Sequence, residues 1–179
     1  MDLLLIATNN HKFLPKLIFG SFAESIVHLS NCDLFIFHQR TKLKKSAPAS
    51  ILFANDMTPK GTLGLERAIF YAKKWSAELV IVHIPIPEAG MTLPDFKEAT
   101  QKKIIKLEQY MAKQKIRYQI YLEYDVQPTS ETILSMAQKT GADVIAVAAQ
   151  AKKLEAFLGG SITRQILRNS ELPTLVLKV

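Results

Sequence analysis

The sequence repeats a segment of itself. Asp2 to Phe37 and Asp143 to Leu177 run through the same series of residue types. Each opens on an aspartate and an apolar run. Each then carries a polar loop, a Gly-Ser step, an amphipathic stretch, a polar turn and a closing apolar run. Gly20-Ser21 answers Gly160-Ser161, and Leu34 to Phe37 answers Thr174 to Leu177, with one residue fewer in the second loop. A repeat of this length marks one supersecondary unit used twice. Each copy reads as strand, loop, helix, strand. Leu3 to Ile6 and Val144 to Val147 are apolar on consecutive residues, so both faces need cover, as in the central strands of a parallel sheet. Ile162, Gln165, Ile166 and Asn169 follow helical spacing, with Ile162 and Ile166 as the buried positions. Ala23, Ile26 and Val27 do the same in the first copy. Pro173 opens the last strand, where its missing N–H does least harm.

A basic stretch without periodicity separates the copies, at about Gln39 to Pro48, and then a fresh series of elements begins. Ser50 to Ala54 reads as a short buried strand. Leu65, Ala68, Ile69 and Ala72 recur at helical spacing, which predicts a helix over Gly64 to Trp75. Leu79 to Ile84 is a second buried strand, ended by Pro85 and Pro87. Pro94 suits the first turn of the next helix, whose inner face carries Ile104, Leu107 and Met111. Ile116 to Tyr124 alternates apolar and polar residues, the pattern of a half-covered edge strand. Thr129 or Ser130 can cap the following helix, which buries Ile133, Met136 and Ala137, and Gly141 closes it in a left-handed conformation. The order from Ser50 is β-α-β-α-β-α-β-α-β. Right-handed crossovers turn that order into an α/β fold with a doubly wound parallel sheet and helices on both faces.

The chain has 179 residues, of which 48% are hydrophobic, enough for one domain of ordinary size with residues left over. No apolar run reaches the roughly 18 residues that a membrane span needs. The opening Met-Asp-Leu-Leu-Leu-Ile-Ala lacks the basic start of a secretory signal, and its apolar part is short. One cysteine, Cys32, allows neither an internal disulfide nor a thiolate metal cluster. These readings point to the cytoplasm, with no membrane partner. The net charge of +7 gives no nucleic-acid surface. Arg40, Lys42, Lys44 and Lys45 fall in the basic linker, and Lys102, Lys103 and Lys106 share a helix with Glu98 and Glu108 as a solvated face.

These residues resemble the universal stress protein family. The marks are the first strand running out to Asp56, the Ala77 to His83 second strand, the Pro128, Ile133 and Ala137 stretch, Asp143, and Gly160-Ser161. The resemblance covers Ser50 to Val179 in full, while residues 2–38 match only the family's last strand-helix-strand. It implies residues 1–39 as the C-terminal part of a first domain, 40–48 as a linker and 49–179 as a complete domain. It also implies a sheet in the order 3-2-1-4-5, extended by the β-α-β half-copy through antiparallel pairing of Leu34 to Phe37 with Thr174 to Leu177. That arrangement leaves Leu3 to Ile6 on an open edge. Such an edge invites another chain, so it is expected to be covered by a second copy, as a homodimer or higher homo-oligomer, or by rearranged structure.

The family's nucleotide motif is Gly, two residues, Gly, nine residues, Gly, then Ser or Thr. Its glycines let backbone approach phosphates, and its Gly-Ser step opens a helix whose free N–H groups attract anions. Here the first copy reads Ala7, Asn10, Gly20-Ser21 and the second Ala148, Ala151, Gly160-Ser161. The helix-start half is kept twice and the glycine half is lost twice. By resemblance the pocket comprises Asp56, Val82, Ala148, Ala151, Gly160, Ser161 and Ile162. Asp56 reads equally as the family's acid near the base or ribose and as ordinary strand-end turn chemistry. The leading expectation is a stress-response protein that works by association, with a degenerate pocket and no cofactor. The alternative is an ATP- or AMP-binding member with weak or no hydrolysis. No catalytic constellation stands out, so no enzyme is expected. His11, His28, His38 and His83 lack ligand spacing, no P-loop or nucleophile elbow occurs, and Cys32 has no activating partner in the sequence.

Overall fold

Consecutive apolar residues become the middle of a seven-stranded sheet. The structure, a computed structural model, describes residues 2–8, 26–27, 29–38, 41, 47–124, 129–149 and 162–179. Its strands are β1 (Leu3–Thr8), β2 (Asp33–His38), β3 (Ser50–Ala54), β4 (Glu78–His83), β5 (Tyr118–Leu122), β6 (Val144–Ala149) and β7 (Thr174–Lys178). Its helices are α1 (Pro59–Trp75), α2 (Leu93–Met111), α3 (Thr129–Lys139) and α4 (Ile162–Asn169). The sheet order is β1-β2-β7-β6-β3-β4-β5. Every pairing is parallel except β2 with β7. From β3 onward this is the expected 3-2-1-4-5 arrangement. Alternation along the strands divides the core. Leu52, Val80, Val82, Ile145 and Val147 pack with Ile133, Met136 and Ile166 on the α3/α4 face. Ile51, Phe53, Leu79, Ile81 and Ala146 pack with Leu65, Ala68, Ile69, Leu107 and Met111 on the α1/α2 face.

Four local expectations change. Helix α1 begins at Pro59, five residues before Gly64, because Thr58 caps it: its hydroxyl accepts from Gly61 N at 3.1 Å, and Pro59 fills the first turn, where no N–H is required. Ile162 is 44% exposed, and α4 buries Thr163, Ile166 and Leu167 instead. Ser130 lies inside α3 and donates its hydroxyl to Gln165 of α4. Strand β5 does form the edge, but its supposed polar side is partly covered, since Tyr121 packs against the α3/α4 core. Gly141 takes the left-handed conformation expected of it, with φ +65°.

Two serines, Ser30 and Ser170, make the same pair of hydrogen bonds with the residue two positions on. Ser30 accepts from Cys32 N at 3.1 Å and donates to the Cys32 carbonyl at 3.0 Å. Ser170 does the same with Leu172, at 3.0 Å each way. Leu5 lies beside Phe35 in β1–β2 as Ala146 lies beside Leu175 in β6–β7. The antiparallel seam pairs Leu34 with Val176, Phe35 with Leu175 and Ile36 with Thr174. Because Leu34 corresponds to Thr174 and Ile36 to Val176, the outer two pairs exchange under a local two-fold axis through Phe35 and Leu175.

Two contacts fasten β2 to the rest. The first is polar. Asp33 is fully buried and accepts from Arg67 Nη1 at 2.9 Å, Tyr71 Oη at 3.0 Å and Lys178 N at 2.8 Å. Burial, then the charge of Asp33 and the bond to it, hold the Tyr71 hydroxyl above the usual phenol range. Burial pushes the Lys178 ammonium down, against the opposing pull of Cys32 and Asp33, and its Nζ donates to the Val27 carbonyl. The second contact is aromatic: Phe35 meets Phe37 edge-on at 4.6 Å and Trp75 at 5.5 Å, and Trp75 meets Tyr71 at 5.1 Å. Strand β1 hangs on β2 alone among the described residues. Leu4 and Leu5 are 41% and 63% exposed, whereas their counterparts Ile145 and Ala146, flanked by β3, are 1% and 0%.

Candidate functional site

Strand order reverses between β3 and β6, and the carboxyl ends of strands flanking such a point leave a crevice suited to a ligand. A cavity of about 310 Å³ sits there. The ends of β3, β4 and β6 contribute Ala54, Val82, Val147 and Ala148 to its walls. Asn55 and Asp56 approach from the β3–α1 connection, Lys60 and Gly61 from the first turn of α1, Thr129 and Ile133 from α3, and Ile162 and Thr163 from the start of α4. Of the seven residues expected in a pocket, Asp56, Val82, Ala148 and Ile162 are thus brought together. Ala151, Gly160 and Ser161 lie outside the described residues. Ile162 lines the cavity, which explains its exposure.

The lining is largely apolar, with one carboxylate and one ammonium among the described residues, Asp56 and Lys60. Asp56 Oδ1 is committed to the turn, accepting from Thr58 N at 3.0 Å and Thr58 Oγ1 at 2.8 Å. Asp56 thus builds the turn and also lines the cavity. Two glycines of α1 set how closely that helix approaches. A Cβ on Gly61 would lie 2.2 Å from Asp56 Oδ1 and 2.7 Å from Asn55 Oδ1. A Cβ on Gly64 would lie 2.7 Å from the Ala148 methyl and 3.0 Å from the Phe53 ring. The Ala148 methyl is accommodated by a missing side chain on α1. Sequence reasoning missed Lys60 and Gly61 because it began the helix after them; the Thr58-Pro59 pair was the available signal.

A second cavity of about 310 Å³ shares Asp56, Ile84 and Ile86 with the first and extends towards α2. His83 lines it from the end of β4, and Phe96, Thr100 and Lys103 line it from α2. His83 lacks ligand spacing in the sequence. It is buried, and its Nδ1 lies 2.8 Å from the Asn55 carbonyl, which can only accept, so Nδ1 carries the proton. Burial pushes the imidazole below its usual range, Asn55 opposes this, Lys103 adds to it and Asp56 counters. Thr100 is a single polar residue on the inner face otherwise formed by Phe96, Ile104, Leu107 and Met111. A polar interruption of an apolar stripe was the signal for it. No group of three or more His, Cys, Asp or Glu that could hold a metal occurs among the described residues. Nor is any helix among them long and apolar enough to cross a membrane.

The profile of the Universal stress protein family matches residues 49–178. The chain belongs to the universal stress protein family. No curated protein matches this universal stress protein. Among solved structures it is similar to a universal stress protein from Archaeoglobus fulgidus DSM 4304, at 24% identity and TM-score 0.77, over 97% of this chain and 62% of that one. A putative universal stress protein from Pseudomonas aeruginosa UCBPP-PA14 follows at 20% identity and TM-score 0.69, over 98% of this chain and 63% of that one. A universal stress protein solved in complex with cAMP matches at 15% identity and TM-score 0.59, over 74% of this chain and 98% of its own. These likenesses establish the fold. The chain spans less than two thirds of the length of the first and second of these relatives.

Proposed function

We propose that this universal stress protein is a stress-response protein that acts through association, and that its nucleotide pocket is degenerate. The observation that carries the reading is the edge of β1. It displays Leu4 and Leu5 where the equivalent β6 is covered by β3, and an apolar strand edge recruits further strands. The proposed partner is a second copy of the chain. In this reading residues 1–39 are the C-terminal part of a first domain, 40–48 a linker and 49–179 a complete domain. Degeneracy of the pocket is supported by the alanines at 148 and 151, where the family motif has glycines. A side chain at such positions keeps phosphate from close contact with the backbone.

The second reading is an adenine-nucleotide binder. It is favoured by the cavity at the reversal of strand order, by its lining of Asp56, Val82, Ala148 and Ile162, and by the relative solved with cAMP. In that reading Ala151, Gly160 and Ser161 complete the pocket. One preparation separates the two. The purified full chain is denatured and the released small molecules are run on anion exchange, while a native aliquot goes to sedimentation velocity. The leading reading expects a dimer or larger species and no stoichiometric nucleotide. A monomer at all concentrations would overturn association, and one adenine nucleotide per chain would overturn degeneracy.

A further inference from the structure

We infer that the second cavity, between the end of β4 and α2, is a binding site for a small aromatic molecule carrying an O–H or N–H donor. The site borders the first cavity and shares Asp56, Ile84 and Ile86 with it, while His83 and Thr100 are not among the residues lining that first cavity.

Its walls hold two polar side chains that the fold leaves unused. His83 and Thr100 are 4% and 3% exposed. The His83 proton is fixed on Nδ1 by the Asn55 carbonyl, so the neutral ring turns a lone pair on Nε2 outward. Nε2 has no hydrogen-bond partner among the described residues, and neither has Thr100 Oγ1. A helical threonine can return its hydroxyl to the carbonyl four residues back, as Thr62 does here. Thr100 does not. Both atoms belong to residues that line the cavity, where water or a ligand can pair with them.

The chemistry of that partner follows from the lining. Nε2 accepts and cannot donate. The Asp56 and Glu88 carboxylates accept too, while Lys103 is the one cationic side chain on the wall. A ligand that donates is therefore matched, and one that only accepts would face lone pairs. Apart from Thr58, whose hydroxyl donates to Asp56, the rest of the described wall is apolar: Ile84, Pro85, Met91 and Phe96 supply aliphatic, thioether and ring surfaces. Such surfaces suit a flat ring, through ring–ring and sulfur–ring contact. At about 310 Å³ the chamber falls in the size range of ligand pockets.

Phenol and anisole test this, since they share a ring and differ in the donor. The full chain with 15N-labelled histidine is titrated with each and followed by long-range 1H–15N NMR. Before addition, His83 should show the Nδ1–H tautomer. Phenol should then move the Nε2 resonance saturably, with anisole about tenfold weaker. Thr100→Val should weaken phenol about fivefold while leaving the melting midpoint in place. His83→Phe should abolish the response in a protein that still folds; if it does not fold, Thr100→Val carries the test. An Nε2 resonance unmoved by phenol would overturn the inference. So would equal binding of phenol and anisole, or unchanged binding in Thr100→Val.

Discussion

Gly64 and Ala148 occupy one space between α1 and β6, and the space holds a single methyl. A Cβ added at 64 would meet that of Ala148 at 2.7 Å, well inside contact distance. Gly64→Ala should gain up to about 1 kcal/mol in helix propensity and lose about 1–3 kcal/mol to overpacking, for a net loss in urea unfolding. Ala148→Gly removes the opposing methyl, so Gly64→Ala in that background should become neutral or stabilising. A double-mutant cycle that came out additive, within about 0.5 kcal/mol, would refute the shared space. His83 gives a pH prediction at the same scale. Its folded-state value lies below the unfolded value of 6.5. Between the two the unfolded chain binds more protons, so stability rises with pH across that window and is lost as pH falls from about 6.5. Urea midpoints of wild type and His83→Phe, compared over pH 5 to 7.5, should show this slope in the wild type alone.

Strand β2 depends on its neighbours' side chains as much as on its ladder. Asp33 ties it to α1 through Arg67 and Tyr71 and to β7 through Lys178 N. Asp33→Ala would strand a backbone donor and an arginine whose side chain is only 28% exposed. Breaking a buried pair on one side costs about 3–5 kcal/mol; partial access of Arg67 to water puts the expected loss near 3 kcal/mol. Amide exchange in β1 and β2 should accelerate more than in β3 and β4, and uniform acceleration would show that β2 is not held separately. The elements themselves were legible because period and punctuation agreed: Pro85 and Pro87 end β4, and Gly141 ends α3. What the sequence hid were contacts between distant segments. Asp33 and Tyr71 are 38 positions apart, and nothing in either neighbourhood marks the pair. The Thr58-Pro59 start of α1 went unread because the helix reading rested on the periodicity that begins at Leu65. Four of the seven expected pocket residues line one cavity, because strand ends in a doubly wound sheet must converge. Ile162 was misread as core because its helical spacing is right and only its position at the cavity mouth exposes it.

For the whole molecule the decisive surface is β1. Leu5 is largely exposed, so Leu5→Lys should change stability by no more than about 0.5 kcal/mol. On an edge, lysine discourages further pairing, so the variant should sediment as a monomer where the parent associates. Association that survived the lysine would place the contact elsewhere. The two-fold seam has a different kind of consequence. In a dimer of identical subunits the pair on the axis must be two copies of one residue, and every substitution there appears twice. Here both halves belong to one chain, so Phe35 faces Leu175, a ring against a branched aliphatic. Asp33 likewise corresponds to Pro173, and its cluster exists on one side only. Covalent linkage frees each half to vary alone, and it makes the seam indifferent to dilution: the halves cannot drift apart as protein concentration falls.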